Sequence, residues 1–360
     1  EGSGGGHRLS PPEALRAALL AVAAAHGVPG AVAEASVPRR WERLGDAVLL
    51  PEGSLLEPEW AAVPAEALWA AVAGALRCGR VGRQARVAQG HKRASRAELL
   101  WPSGCSGWVT QVENGISYSL DVTQVMFSSG NGTEKARVAG LRLRGETVVD
   151  LYAGIGYWTV PLLRHAGADR VVACEWNEHS LEALRANLAA NGVEARCEVR
   201  AGDNRDVAPR GVAHRVVLGL LPSSEPGWAT ALAALRPEGG VLHLHMCVPE
   251  AEERDFVSAT ARRLQRLSRV AAGRRMRVTP VHVERVKWYS PRVRHLVVDY
   301  ACAPAPEVPE RLRVSAVLNR RVLASAVLST RFVAGAACGA GCALGLSFVY
   351  FHMLLMRNRR

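Results

Sequence analysis

Acidic and amide side chains follow three successive apolar segments of the chain, and the first segment also leads into a glycine-rich turn. The residues of this constellation are Asp150, Gly154, Gly156, Glu175, Asp203 and Asn204. Glycine lets the backbone approach a ligand closely, and a helix that begins directly after the turn directs N–H donors at it. A carboxylate at the position of Glu175 can accept hydrogen bonds from both hydroxyls of a ribose, and Asp203-Asn204 lie where side chains reach an adenine edge. The pattern therefore predicts a nucleoside-binding site.

The residues around the glycines distinguish between two nucleoside ligands. A dinucleotide-binding turn requires a third small residue at position 159. This chain instead has Thr159, preceded by the bulky Tyr157 and Trp158. A carboxylate such as Asp150 is unfavourable beside a pyrophosphate, but it suits the positively charged end of S-adenosylmethionine. We therefore predict S-adenosylmethionine rather than NAD as the cofactor.

The elements that position these residues alternate between strands and helices from about residue 145 onward. Apolar segments predict strands at 147–152, 170–176, 197–200, 215–221, 240–248, 281–287 and 295–300. Leu181, Leu184 and Leu188 recur at helical spacing, and Asn191-Gly192 supplies a helix C-cap. This alternation predicts an α/β fold with a doubly wound, Rossmann-like, mostly parallel sheet.

Composition changes divide the chain into four predicted parts. They are a mostly helical region (1–75), a small α/β RNA-binding module (76–140), the catalytic domain (141–302) and an atypical tail (303–360). Asn114-Gly115 predicts a hairpin turn in the second part. In the tail, residues 332–356 carry no formal charge. That segment is either a membrane anchor or a stretch with no selected role.

The charge of the chain predicts an anionic partner. With 45 basic and 33 acidic residues among 360, the formal net charge is +12. Much of the excess lies in two runs, 77–96 and 254–294. Each run is either a solvated face or a surface that contacts phosphates.

Cysteine and histidine patterns indicate neither disulfides nor a metal. The eight cysteines form no C-x-x-C motif, which is typical of reduced thiols in a cytoplasmic protein. His243 and His245 alternate on one strand face without further ligands nearby, so we expect core or edge histidines rather than a metal site.

Five short motifs resemble one family of tRNA-modifying enzymes. They are FSSGNGTEKARV (127–138), DLYAGIG (150–156), CEWN (174–177), GDNR (202–205) and GLLPSSE (219–225). Together, over about residues 36–302, they resemble the tRNA wybutosine-synthesising protein 2 family, which is related to the tRNA guanine-37 N1-methyltransferases. The methyltransferases carry Asn in an Asn-Leu-Pro motif at the position of Gly219, so the glycine favours the wybutosine family.

The resemblance implies a specific reaction. An enzyme of this family uses S-adenosylmethionine without transferring its methyl group. It moves the 3-amino-3-carboxypropyl group to carbon 7 of 4-demethylwyosine at position 37 of tRNA-Phe and releases 5′-methylthioadenosine. By the same resemblance, the cofactor contacts match Ser128, Lys135, Glu175, Asp203 and Asn204. The substrate that the resemblance implies also predicts that the basic runs 77–96 and 254–294 together bind tRNA.

Three further residues are candidates for the transfer step. Glu134 can accept the proton that the ring carbon loses, although the alternative is a glutamate on a helix surface. Pro222 and Ser223 follow the fourth strand and are expected to face the base, but the serines 223 and 224 can also cap the next helix. The alternative functions are a guanine-37 N1-methyltransferase and a tRNA-binding or membrane-tethered protein with weakened catalysis, since the segment after residue 248 is short for this family.

Overall fold

The computed structural model describes residues 9–84, 95 and 97–306. The N-terminal part combines helices with a four-stranded sheet in the order β1-β2-β3-β4. Its elements are α1 (Pro11–Ala25), α2 (Gly30–Ser36), β1 (Glu42–Leu44), β2 (Ala47–Leu50), α3 (Ala65–Leu76), β3 (Arg80–Arg83) and β4 (Glu98–Trp101). This sheet joins strands from both sides of the boundary predicted between residues 75 and 76, and the domain boundaries themselves stay a prediction.

Local sequence signals explain how this part begins. Ser10 precedes α1, and its backbone N–H and hydroxyl both donate to the Glu13 carboxylate, at 2.8 and 2.6 Å. Such a reciprocal cap satisfies donors at a helix start that would otherwise lack partners. Leu15 and Leu19 then lie on one face of α1, where they are buried in the same core as Val72 of α3.

A two-stranded hairpin links this part to the large seven-stranded sheet. Strands β5 (Trp108–Glu113) and β6 (Ile116–Asp121) pair antiparallel. Asn114 and Gly115 form the predicted turn, with φ angles of 51° and 72°. Positive φ at both central positions matches the right-handed twist of the flanking strands, which is why Asn-Gly is favoured there.

The large sheet has seven strands in the order β12-β13-β11-β10-β7-β8-β9. The strands are β7 (Thr147–Asp150), β8 (Arg170–Glu175), β9 (Cys197–Ala201), β10 (Arg215–Leu218), β11 (Gly240–Pro249), β12 (Met276–Ser290) and β13 (Val293–Pro304). Strands β7 to β11 are parallel, and β12 and β13 form an antiparallel hairpin on one side. The predicted doubly wound α/β fold is confirmed.

Helices cover both faces of this sheet. They are α4 (Gly132–Ala139), α5 (Thr159–Arg164), α6 (Glu178–Ala190), α7 (Asn204–Val207), α8 (Trp228–Ala234) and α9 (Glu253–Ala271). Alternating strand residues divide between two cores: Val148 packs in the core of α5 and α6, and Val149 in the core of α8 and α9. The consequence is a sheet buried on both sides, as parallel sheets require.

Two predictions fall partly or wholly outside the described residues. The uncharged segment 332–356 lies outside them, as do residues 85–94 and 96 of the first basic run. Within 9–84, 95 and 97–306, no helix is long and apolar enough to cross a membrane. In the described part of the first basic run, Arg80 forms an ion pair with Asp46, so that charge also serves the fold.

Candidate active site

The glycine turn lies at the carboxyl end of β7, and hydrogen bonds to the Asp150 side chain stabilise it. This aspartate is fully buried; it accepts hydrogen bonds from the Thr159 hydroxyl at 2.8 Å and from the backbone N–H of Tyr152 at 3.3 Å. Burial raises the pKa of Asp150 to about 7. Gly154 and Gly156 have φ angles of 56° and 100°, which favour glycine. Asp150 thus fixes the turn, and its predicted contact with the cofactor stays a prediction.

Glu175 joins the end of β8 to the same turn. Its carboxylate accepts the backbone N–H groups of Gly154 at 2.8 Å, Trp176 at 2.9 Å and Asn177 at 2.8 Å. Burial raises the pKa of Glu175, and the three backbone donors oppose that shift. A carboxylate has about four lone-pair sites, so Glu175 retains acceptor capacity for a ligand hydroxyl.

Asp203 and Asn204 follow β9, the next strand along the edge. Asp203 caps α7: its carboxylate accepts the Arg205 backbone N–H at 2.9 Å and pairs with the Arg205 guanidinium. Asn204 donates from Nδ2 to the Leu151 carbonyl at 3.1 Å, which ties β9 to β7. Its Oδ1 is buried without a hydrogen-bond partner among the described residues. Buried acceptors are normally satisfied, so this atom is available to a donor on a ligand.

Lys135 of α4 lies in an aromatic cage. Its ammonium is 5.3 Å from the ring centroid of Tyr118 and 5.0 Å from those of Phe127 and Tyr157. It forms an ion pair with Glu113 and donates to the Ser128 carbonyl at 3.3 Å. Burial lowers the pKa of Lys135, whereas Glu113 raises it. The rings and the carboxylate together stabilise a cation that is 2% exposed.

Ser128 connects this cage to the glycine turn. Its backbone N–H donates to the Tyr157 hydroxyl at 3.0 Å, and its own hydroxyl accepts from Asn131 Nδ2 at 2.8 Å. Asn131 Oδ1 is a second buried acceptor without a partner in the described part of the chain. Ser128 and Lys135 are therefore brought together with the turn that Asp150 and Glu175 support.

Glu134 precedes Lys135 in the sequence, but it contacts Arg137 rather than Glu113. It is fully buried, and its two oxygens accept from the Arg137 guanidinium, both at 2.7 Å. Arg137 also binds Asp299 of β13 at 2.8 Å. The helix-surface alternative for Glu134 is therefore wrong: an arginine three residues on neutralises its charge in the interior. Burial raises the pKa of Glu134 and Arg137 opposes the shift, while its role as proton acceptor stays a prediction.

The loop after β10 is fastened to β11. The Pro222 carbonyl accepts the Cys247 N–H at 2.8 Å, and the buried Ser224 hydroxyl donates to the His245 carbonyl at 2.9 Å. The Ser223 hydroxyl accepts the Glu225 N–H at 3.3 Å, at the start of a 3-10 turn. The next helix, α8, has Gly227 as its N-cap residue, so the capping alternative for serines 223 and 224 is wrong. Whether Pro222 and Ser223 also face a base stays a prediction.

Gly219, the first residue after β10, packs against Trp158. A Cβ atom at position 219 would lie 2.4 Å from the indole Nε1 of Trp158 and 2.9 Å from its Cδ1. Trp158 is 3% exposed and rests on His245, with ring centroids 4.8 Å apart. Trp158 is therefore a core residue, whereas Trp176 is 42% exposed.

His243 and His245 both lie in the interior, as predicted. His243 Nδ1 lies 2.6 Å from Asp299, and His245 Nδ1 lies 3.1 Å from His295 Nε2. In the described residues, no group of three or more His, Cys, Asp or Glu side chains has the arrangement of a metal site.

The residues at the carboxyl edge suit S-adenosylmethionine in three respects. Glu175 retains acceptor capacity at the end of β8, and Asn204 Oδ1 offers an unpaired acceptor after β9. Lys135 supplies a buried cation next to the glycine turn. Ribose hydroxyls, an adenine amino group and a carboxylate are the complementary groups, so this chain's donor and acceptor set fits the molecule.

Comparison with known proteins gives two family-model matches. Residues 109–278 match the TRM5/TYW2 methyltransferase domain, and residues 29–104 match the TYW2 N-terminal domain. The human tRNA wybutosine-synthesizing protein 2 homolog is 39% identical over 324 residues, which cover 76% of this chain and 72% of that protein. The chain belongs to the tRNA wybutosine-synthesizing protein 2 family.

Two further relatives of this family differ in how much of them the chain covers. The Arabidopsis thaliana tRNA wybutosine-synthesizing protein 2/3/4 is 46% identical over 293 residues, or 81% of this chain but 29% of that protein. The chain thus spans less than a third of that relative's length. The crystal structure of P. horikoshii TYW2 in complex with MeSAdo is similar with a TM-score of 0.65 and 29% identity, over 81% of this chain and 100% of that chain.

Several residues of this family member's site are not evident from sequence motifs. Glu113 and Tyr118 lie on the hairpin before the first motif, yet they enclose Lys135. The signal available was strand alternation, because Ile116, Tyr118 and Leu120 point to one side of β6 and are all buried. Nothing in the spacing indicates that Glu113 meets a lysine 22 positions later.

Proposed function

We propose that the chain is an S-adenosylmethionine-dependent tRNA-modifying transferase. It transfers the 3-amino-3-carboxypropyl group to carbon 7 of 4-demethylwyosine at position 37 of tRNA-Phe. Family membership supports tRNA modification in wybutosine synthesis, and the donor and acceptor set of the carboxyl edge supports the cofactor.

The observation that carries the choice of transferred group is the contact between Gly219 and Trp158. The related N1-methyltransferases resemble this chain but have an asparagine at that position. Here, even the first carbon of such a side chain would overlap the indole nitrogen, at 2.4 Å. Because Trp158 is buried against His245, it has little room to move. Position 219 therefore has no room for the asparagine of the methyltransferases, which favours transfer of the 3-amino-3-carboxypropyl group.

The residues of the site act by holding and orienting the donor. A sulfonium activates each of the three carbons bonded to sulfur, so the group that leaves depends on how the molecule is held. Glu175 would accept hydrogen bonds from the ribose, and Asn204 Oδ1 would accept one from adenine. Lys135 would pair with the carboxylate of the transferred group, and it would give up part of its contact with Glu113 to do so.

In the transfer step, a bond forms between ring carbon 7 and the donor carbon as the bond from that carbon to sulfur breaks. The ring carbon then loses its proton, and methylthioadenosine leaves. Glu134 is the proposed acceptor of that proton. Burial raises the pKa of Glu134, which favours uptake of a proton, whereas Arg137, which binds both of its oxygens, opposes this shift.

Separate isotope labels in the donor test the reaction. The protein is incubated with tRNA-Phe bearing 4-demethylwyosine and with S-adenosylmethionine labelled either in the methyl group or in the carboxypropyl carbons. We expect carboxypropyl label in tRNA together with methylthioadenosine. Methyl label in tRNA would instead establish the N1-methyltransferase, and no label in tRNA would contradict both.

A matched pair of variants tests the cofactor site by calorimetry. Glu175→Gln should weaken S-adenosylmethionine binding about tenfold or more, since hydrogen bonds to a charged acceptor contribute about 1.5–3 kcal/mol. Glu182→Gln, an exposed residue of α6, removes the same charge and should bind as the wild type does. Equal binding by both variants, measured by calorimetry, would remove Glu175 from the site.

A further inference from the structure

The turn between β12 and β13 lies at the edge of the sheet that carries the candidate active site. Strand β11 runs parallel to β10, and its last residue, Pro249, pairs with Val293, the first residue of β13. The turn residues 291 and 292 therefore extend past the carboxyl ends of the parallel strands. The Glu250 N–H donates to the Arg292 carbonyl at 2.9 Å and fixes the turn beside the end of β11.

Two aromatic side chains at this end of β12 are exposed. Trp288 and Tyr289 are 48% and 45% exposed, although large apolar side chains are usually buried. The Arg294 guanidinium lies 3.6 Å from the Trp288 ring centroid and orients the indole through a cation–π contact. The protein thus presents an oriented aromatic ring to solvent beside its candidate active site.

Arg292 adds a cation whose backbone is in an unfavourable conformation. Its φ angle is 59°, a left-handed conformation that glycine adopts freely and residues with a Cβ adopt at a cost. The side chain is exposed and forms no ion pair with a described residue, whereas Arg285 and Arg294 both pair with Glu253. An arginine therefore stands where the fold alone would favour glycine.

We propose that the hairpin tip, defined as Trp288, Tyr289 and Arg292, binds unpaired nucleotides next to the base that is modified. The proposal rests on the proposed function, in which tRNA is the substrate. Aromatic rings stack on unpaired bases whatever their sequence, and an unpaired arginine contacts phosphate. An enzyme that acts on a loop base needs the neighbouring nucleotides held open, and the hairpin tip lies at the edge where they arrive.

The salt dependence of RNA binding distinguishes the aromatic from the charged residues of the hairpin tip. The ligands are an anticodon stem-loop RNA and a duplex RNA of the same length, titrated at several salt concentrations. The Trp288→Ala/Tyr289→Ala variant should bind the stem-loop about tenfold or more weakly, because each stacked base contributes on that scale. Its salt slope should stay that of the wild type, and its affinity for the duplex should change little.

Arg292→Gly tests the charge without disturbing the fold. It should reduce the slope of log K against log[salt] by about 0.7, the value for one phosphate contact to a single strand. Its thermal stability should match or exceed that of the wild type, because glycine relieves the positive φ. Arg185→Ala, an exposed α6 residue outside both basic runs and without an ion pair in the described structure, controls for bulk charge and should leave the slope nearly unchanged.

The results separate this proposal from the proposed function. Equal loss of stem-loop and duplex binding in the aromatic variant, or wild-type stem-loop binding, would overturn the role of the hairpin tip while transfer activity still stands. An unchanged salt slope in Arg292→Gly would remove the phosphate contact. Failure of the wild-type protein to bind the stem-loop would instead contradict the proposed tRNA substrate.

Discussion

Adding one methyl group at Gly219 should measurably destabilise this protein. In a Gly219→Ala variant the new Cβ would lie 2.4 Å from Nε1 and 2.9 Å from Cδ1 of Trp158. Non-bonded heavy atoms rest about 3.5–4.0 Å apart, so the indole or the end of β10 must shift by roughly 1 Å. Trp158 is 3% exposed and its ring lies 4.8 Å from that of His245, so the shift passes into a packed core.

Overpacking of this kind typically costs about 1–3 kcal/mol. The φ angle of Gly219 is not positive, so alanine carries no backbone penalty there. Alanine instead recovers about 0.4–1 kcal/mol by restricting the unfolded chain. The free energy of unfolding should therefore fall by about 1.3 kcal/mol at the middle of these ranges and by at most about 2.6 kcal/mol, as measured by urea denaturation at neutral pH.

Two controls make the measurement specific. Gly74→Ala lies in α3, where a Cβ would meet nothing within 4 Å, and it should stabilise the protein by about 0.5–1 kcal/mol. In a Trp158→Leu background, which lacks the indole nitrogen, Gly219→Ala should cost less than about 0.5 kcal/mol, because the two sites are coupled. If Gly219→Ala costs the same in both backgrounds, or stabilises as Gly74→Ala does, the steric explanation is wrong.

Two further predictions concern buried charges. Burial alone would raise the pKa of Asp299, but His243 and Arg137 outweigh it and hold the pKa below its usual range; the stabilisation is therefore present above the unfolded pKa and lost as the pH falls. Asp299→Asn should cost about 3–5 kcal/mol at pH 7, and denaturation across pH should show the deficit shrinking below about pH 4. Glu113→Gln leaves the Lys135 ammonium buried without a charge partner, so stability should drop and should recover as the pH rises; a pH-independent deficit would contradict this account.

The sequence predicts the strands of the seven-stranded sheet well because their signal is local. The apolar segments around Asp150, Glu175 and Asn204 each end at a polar residue, and parallel strands bring their carboxyl ends to one edge. The Asn114-Gly115 turn was predictable for the same reason, since it depends on two adjacent residues.

The side-chain partners of the site were not predictable in this way. The sequence leaves a helix-surface position open for Glu134, but Glu134 is buried because the Arg137 guanidinium neutralises its charge. Arg137 is held in turn by Asp299, which lies 162 residues further along the chain. The pairing of Glu113 with Lys135 likewise depends on how the β5–β6 hairpin packs. Such contacts follow from tertiary packing, and no local periodicity encodes them.

Tyr157 and Trp158 show how one local feature acquires two roles in the fold. In the sequence, their bulk argues only against a dinucleotide turn. In the structure, the Tyr157 hydroxyl accepts from the Ser128 N–H and donates to the Met126 carbonyl, both at 3.0 Å, which secures the Lys135 side of the site. Trp158 packs against His245 and restricts position 219 to glycine. The two adjacent rings thus pack on both sides of the glycine turn, so a small residue at either position should loosen the geometry of the candidate site.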